Sequence, residues 1–174
     1  MIVNLIMSKK VMRISVASLL AGAVLLAGVS PSFAATATGS FLSQLIINAQ
    51  CVVVSTNTLD FGTAGVLTAN IDTSANFAVQ CTNTQSYTIS LNAGTGAGTT
   101  TTRTLDNGAA LVNYTMWKDA GRTQNWGDTG AEIMTGLTGT GASQSYTVYG
   151  RVPIQTTPAA ATYTDTVTIT VTYP

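Results

Sequence analysis

The chain has 174 residues, with seven Lys or Arg balanced by seven Asp or Glu, so it presents no basic face to nucleic acid or anionic lipid. It contains no histidine. That removes the commonest proton-transfer group near neutral pH and leaves its two cysteines without the usual co-ligand of a metal site.

In chain order, Lys9, Lys10 and Arg13 form a basic patch, and Ile14 to Val29 form an apolar run. Pro31 follows, and Ser32-Phe33-Ala34 supplies small residues at the two positions a signal peptidase reads. This order predicts a secretory signal peptide over residues 1–34, cleaved between Ala34 and Ala35, with a site after Ala37 as the alternative and Met7 as an alternative start. A run of about 16 residues is short for a membrane anchor, which needs about 20. Beyond it, Arg103, Lys118, Arg122 and Arg151 face all seven acids, a net charge of −3, and no apolar stretch is long enough for a helical span. The remaining chain is the size of a single domain with a real core.

From Gly39 to Cys51, Phe41, Ser43, Leu45 and Ile47 share one parity, continued by Ala49 and Cys51. The stretch predicts a long strand, read most simply as the first strand of the domain. Cys51 and Cys81 are the only cysteines. In an exported chain such a pair predicts one disulfide closing a loop of about 30 residues, worth roughly 3–4 kcal/mol. The alternative, a redox or metal site, lacks a Cys-x-x-Cys motif.

Period-two alternation then dominates. It is clearest at Phe77, Val79 and Cys81, at Tyr87, Ile89 and Leu91, and at Val167, Ile169, Val171 and Tyr173, with threonines filling the opposite face of the last run. Leu111–Trp117 and Tyr146–Val152 complete the predicted strands. Threonine suits the wet face because its branched Cβ favours extended backbone. Turn chemistry separates the runs at 94–98, Asp106-Asn107-Gly108, Asp119-Ala120-Gly121 and Gly127-Asp128-Thr129-Gly130. Short strands with frequent turns predict an all-β antiparallel sandwich, with room for a helical turn within 62–72 or 119–126.

The inventory of reactive groups predicts no catalytic residue, no metal site and no cofactor. A serine nucleophile has only Lys118 as a nearby class of base after the signal segment. A carboxylate pair drawn from Asp119, Asp128 and Glu132 is the remaining enzymatic alternative, but two of these sit in turn signals. Trp117 and Trp126 are candidates for stacking on a sugar, against a plainer reading as core residues. Asn113-Tyr114-Thr115 fits a glycosylation sequon inside a predicted strand.

From about Thr38 onward, several runs in shared order carry a family likeness. They are Thr38-Gly39, Leu59-Asp60-Phe61-Gly62, Asn113 to Asp119 with Arg122, Trp126-Gly127-Asp128, Tyr149-Gly150-Arg151-Val152-Pro153, and Tyr163-Thr164-Asp165. On these residues the chain resembles the spore coat protein U domain family, which includes subunits of archaic (Csu-like) chaperone–usher pili. Ala161-Thr162 stands where the family usually has a glycine.

The resemblance implies an immunoglobulin-like sandwich, residues 49–174, that lacks its last strand and is completed by donor-strand complementation. It implies that residues 35–48 supply the donor, with Phe41, Ser43, Leu45 and Ile47 as plugs. The acceptor groove edge and chaperone contact would then include Val167, Ile169, Val171 and Tyr173. The implied partners are copies of the chain or related pilins in a head-to-tail polymer, a periplasmic chaperone and an outer-membrane usher. The implied function is a structural subunit of a surface pilus, exported through the periplasm, in attachment and biofilm formation. The alternatives are a surface-binding tip adhesin or lectin-like module, and a spore or stress coat protein.

Overall fold

The computed structural model describes residues 33–174. The predicted signal segment therefore lies outside the described residues, apart from Phe33 and Ala34. The chain divides into two units, 1–43 and 44–174. In the first, residues 33–43 form no helix or strand, and Ala34, Ala35, Phe41 and Leu42 are exposed. In the second, residues 44–50 are likewise irregular, with Leu45, Ile46 and Ile47 exposed. The long strand expected from Gly39 is thus absent, and β1 begins only at Cys51. The alternation before it has no partner strand among the described residues to make a ladder with, and side-chain parity alone does not form a strand.

The strands are β1 (Cys51–Thr56), β2 (Ile71–Cys81), β3 (Ser86–Leu91), β4 (Arg103–Asp106), β5 (Leu111–Trp117), β6 (Met134–Thr138), β7 (Ser143–Val152) and β8 (Ile169–Thr172). Every pairing is antiparallel. One sheet has the order β1-β2-β7-β5-β4 and the other β6-β3-β8, the two-layer arrangement that the sequence predicts. The only helical turn among the described residues is a 3-10 turn at Gly130–Glu132, C-terminal to the segments where one was expected.

The alternation places one face of each strand inward. Phe77, Val79 and Cys81 of β2, Tyr87, Ile89 and Leu91 of β3, Val112, Tyr114 and Met116 of β5, and Val148 and Val152 of β7 are buried. Trp126, from the loop after β5, fills the centre, tilted against Phe77 with ring centroids 5.6 Å apart, while its indole N–H donates to the Ile89 carbonyl. Cys51 and Cys81 stand opposite one another in the β1–β2 ladder and form the expected disulfide. A bulge between Val53 and Ser55 bends the same ladder.

β1 ends one sheet and β8 ends the other, and the two approach each other along one side of the sandwich. β8 is shorter than the predicted run from Val167 to Tyr173. Before it, residues 163–168 make isolated backbone bonds to the end of β4 and to the residue after β3 instead of a ladder. Asp106 and Thr164 exchange backbone hydrogen bonds, and the Asn92 N–H donates to the Thr168 carbonyl.

A cleft between two open edges

Two cavities that share part of their lining lie at and beyond the ends of β1 and β8. The smaller, about 320 Å³, has a floor of Phe77, Leu91, Met116 and Val148 and is edged by Val167 and Ile169. The larger, about 850 Å³, is lined by Leu67, Ile71, Val112, Val152 and Tyr163 among others. Thr58, Leu59, Phe61, Leu105 and Asp165 line both and form the waist between them.

One wall is the stretch after β1. Asp60 accepts the Gly62 N–H at 2.8 Å in a tight turn, and Gly62 has φ +72°, a conformation glycine adopts without cost. Leu59 and Phe61 lean onto β7 at Gly150, where a Cβ would stand 2.8 Å from Leu59 Cδ2. The Phe61 ring meets Tyr114 edge-on at 5.8 Å. No backbone–backbone hydrogen bond ties residues 58–65 to another segment among the described residues. Such a wall presents free N–H and C=O groups, which template pairing with another strand.

The other wall, residues 157–169, has only the Asp106–Thr164 bridge and the start of β8 as backbone pairing among the described residues and is otherwise held largely by side chains. Asp165 accepts the Tyr114 hydroxyl at 2.6 Å, the Thr95 and Thr166 N–H groups at 2.7 Å each, and the Thr95 hydroxyl at 3.0 Å. Asn92 accepts the Thr168 N–H at 2.8 Å. Burial pushes the Asp165 carboxyl upward, but the hydrogen bonds from Tyr114, Thr95 and Thr166 outweigh it and hold the group below the usual carboxylate value. Burial and then the bond to Asp165 push the Tyr114 hydroxyl far above the ordinary phenol value.

Behind this wall lies Arg103, fully buried. Its Nε donates to the Asn92 carbonyl at 2.9 Å, Nη1 to Thr100 at 2.8 Å, and Nη2 to Leu91 at 3.1 Å and Trp126 at 2.7 Å. Burial lowers its affinity for its proton. Four carbonyls thus take the place of a carboxylate partner, and they knit the loop before β4 to the end of β3 and to Trp126.

The four residues of the implied groove edge lie in and beside β8. Val167 and Ile169 line the smaller cavity, Val171 packs on the core, and Tyr173 is 37% exposed at its end. The candidate donor residues Phe41, Ser43, Leu45 and Ile47 are all exposed. Sequence reasoning did not single out Leu59 and Phe61 as cleft walls, gave Asp165 no role beyond the Tyr163-Thr164-Asp165 likeness, and gave Asn92 and Arg103 none in the site. For Asp165 a signal existed, since it shares the parity of Val167 and Ile169.

The alternative sites fare differently. Trp126 is buried and has no face for a sugar, which corrects its candidacy. Trp117 lies on the outer face of β5 beneath the Arg151 guanidinium, 6.0 Å from the ring centroid. Arg151 is in turn paired with Asp72 at 2.6 Å. Asp119 is occupied in its own loop, accepting the Thr123 and Gln124 N–H groups at 3.0 and 2.8 Å. Glu132 accepts the Thr100 hydroxyl at 2.7 Å. Among the described residues no group of three or more acidic, Cys or His side chains is placed to hold a metal.

Comparison with known proteins agrees with this architecture. The Spore Coat Protein U domain model matches residues 37–170. Protein U of Myxococcus xanthus is 32% identical over an aligned length of 177 residues, covering 92% of this chain and 98% of that protein. Among solved structures, the fold is similar to a chain in the CsuC–CsuE chaperone–tip adhesion subunit pre-assembly complex from archaic chaperone–usher Csu pili of Acinetobacter baumannii. The TM-score is 0.52 and the identity 25%; the match covers 72% of this chain and 40% of that one, so the chain spans well under half the length of its structural neighbour. With its matched span covering nearly all of the sandwich, the chain belongs to the Spore Coat Protein U domain family.

Proposed function

We propose that this protein is a structural subunit of a surface pilus assembled by a chaperone–usher pathway, working in attachment and biofilm formation. The observation that carries the reading is a largely apolar cleft between one wall without backbone pairing among the described residues and another with little, together with an exposed, mostly apolar segment, Phe41 to Ile47, on the same chain. A strand from outside satisfies both the free backbone groups and the apolar walls. Because donor and cleft are formed by different parts of the chain, the contact between copies is head-to-tail and generates a filament. Residues 35–48 act as the donor, and residues 49–174 form the acceptor domain.

In this scheme a periplasmic chaperone covers the cleft before assembly and an outer-membrane usher exports the growing polymer to the cell surface. The likeness to the chaperone–tip adhesion subunit complex supports the chaperone as partner. Export rests on the signal segment, with cleavage between Ala34 and Ala35, and we infer no catalytic role and no cofactor. The family description supports a second reading, a coat protein. Chaperone and usher genes beside this one would favour the pilus.

The test is to produce residues 35–174 and residues 49–174 in a periplasm with the cognate chaperone, release them, and examine both by size-exclusion chromatography and electron microscopy. Fibres from the longer chain alone are expected. Monodisperse monomers from both would sink the pilin reading.

A further inference from the structure

The cleft is not apolar throughout. Along its C-terminal wall Tyr163, Asp165, Val167 and Ile169 are half-buried, while Thr164, Thr166 and Thr168 between them are exposed. Tyr163 lines only the larger cavity, Val167 and Ile169 only the smaller, and Asp165 sits at the waist. The wall therefore reads apolar, carboxylate, apolar, apolar at two-residue steps. The exposed segment reads Phe41, Ser43, Leu45, Ile47 at the same step, so the one polar position of each run lies between two apolar ones.

Asp165 also has capacity to spare. Its Oδ1 accepts from the Thr95 N–H, the Thr95 hydroxyl, the Gly96 N–H and the Thr166 N–H, whereas among the described residues Oδ2 accepts only from the Tyr114 hydroxyl. A carboxylate oxygen takes two donors comfortably.

Resting on the donor-strand reading above, we propose that Ser43 of one copy seats opposite Asp165 of the next, its hydroxyl donating to the carboxylate, and thereby fixes the register of the inserted segment. Side chains alternate with period two, so a one-residue slip turns Leu42, Gln44 and Ile46 toward the cavities and the plugs outward. A two-residue slip keeps the parity but sets Phe41 or Leu45 against the carboxylate, removing water from it without supplying a donor. The register centred on Ser43 avoids that cost for either strand direction, because an apolar residue stands two positions away on both sides. A serine, which fills an apolar cavity poorly, is then the specificity-determining position of the segment.

The experiment uses full-length chains assembled into fibres. Thr58 lines both cavities at the waist and is exposed, so Thr58→Cys is combined in turn with Phe41→Cys, Ser43→Cys and Leu45→Cys. A ladder of covalent oligomers on a non-reducing gel is expected from the Ser43 pair alone. Ser43→Val, a change in the exposed segment outside the sandwich, is expected to make fibres dissociate about tenfold faster in denaturant. Asp165→Asn is expected to shrink that difference, as a double-mutant cycle reads it.

Ser43→Val fibres as long-lived as the unaltered ones, or a ladder from position 41 or 45 instead, would overturn the proposal while leaving the donor segment in place. Leu45→Ser fibres of undiminished stability, with no ladder from any of the three pairs, would remove the donor-strand reading and this inference with it.

Discussion

The Tyr114 hydroxyl donates to Asp165 at 2.6 Å, joining the floor of the cleft on β5 to its C-terminal wall across 51 residues of sequence. The wall has few ladder bonds of its own, so this contact and those from Thr95 position the residues that edge the smaller cavity. A carboxylate is effective here because it is acceptor-only and gathers several N–H and O–H donors at once.

Tyr114→Phe deletes one donor to a partly buried carboxylate and is expected to cost about 1.5–3 kcal/mol, the range for hydrogen bonds to charged groups. Urea unfolding at neutral pH reads it. The same network carries a pH dependence. The folded-state Asp165 carboxyl lies below its ordinary value, so its contribution is complete above about pH 4 and is lost as pH falls through the lower folded-state value. Asp165→Asn is therefore expected to be most destabilising at neutral pH, with the gap to the unaltered chain narrowing below about pH 4. A gap that is constant with pH would exclude a charged Asp165 as the source.

Gly94→Ala attacks the same site from the loop side. Gly94 has φ +89°, and a Cβ there would stand 2.0 Å from Asp165 Oδ2. The loop must shift away, and backbone strain of roughly 1–3 kcal/mol is added. Reduced thermal stability is expected, together with faster hydrogen exchange at the Thr95 amide. An unchanged exchange rate would mean that the loop adapts without releasing Asp165.

Arg103→Met removes all five guanidinium donors and strands the carbonyls of Leu91, Asn92, Thr100 and Trp126 in the interior. A loss of about 2–6 kcal/mol is expected, since each of the two fully buried carbonyls left without a donor costs about 1–3 kcal/mol. Arg103→Lys is expected to recover only part of it, because an ammonium cannot reproduce the planar fork. Periplasmic yield and urea midpoints of the two variants test the ordering.

Removing both cysteines, Cys51→Ala with Cys81→Ala, opens a loop spanning a sequence separation of 30. An expected loss of about 2–4 kcal/mol follows from the freed unfolded chain. A reductant is expected to lower the melting temperature of the unaltered chain and leave that of the double variant where it was. Equal responses of the two chains would show that the bridge does not carry the effect.

Much of the sandwich was legible because its strands are half-wet. Burial of Tyr87, Ile89 and Leu91 against half-buried Thr88 and Ser90 is the pattern that period two encodes. The β4–β5 loop was legible too, since Asp106 and Asn107 cap it with their own carboxylate and amide oxygens, accepting the N–H groups of Gly108, Ala109 and Ala110. β4 itself was not, because a four-residue strand beginning with a buried arginine shows no alternation. Asp165 was passed over for a related reason. A charge at an inward position breaks the apolar run, and only the positions of Tyr114 and Thr95 in space reveal how it is satisfied. The stretch from Gly39 to Gln50 shows the converse. Its side-chain parity is strand-like, yet parity says nothing about which backbone, if any, lies alongside.

The disulfide sits where the exposed segment enters the sandwich, four residues after Ile47. In a filament joined through that segment, each pull along the fibre arrives first at Cys51. β1 alone would peel from β2 one pair at a time under such tension, but the covalent bridge to Cys81 passes the load directly into β2. That strand is paired with β7 from Ile71 to Gln80, and parting the two lengthwise requires those pairs to yield together. In such a filament the one sulfur bridge would convert a zipper into a shear joint, and tensile strength would come from the longest ladder among the described residues.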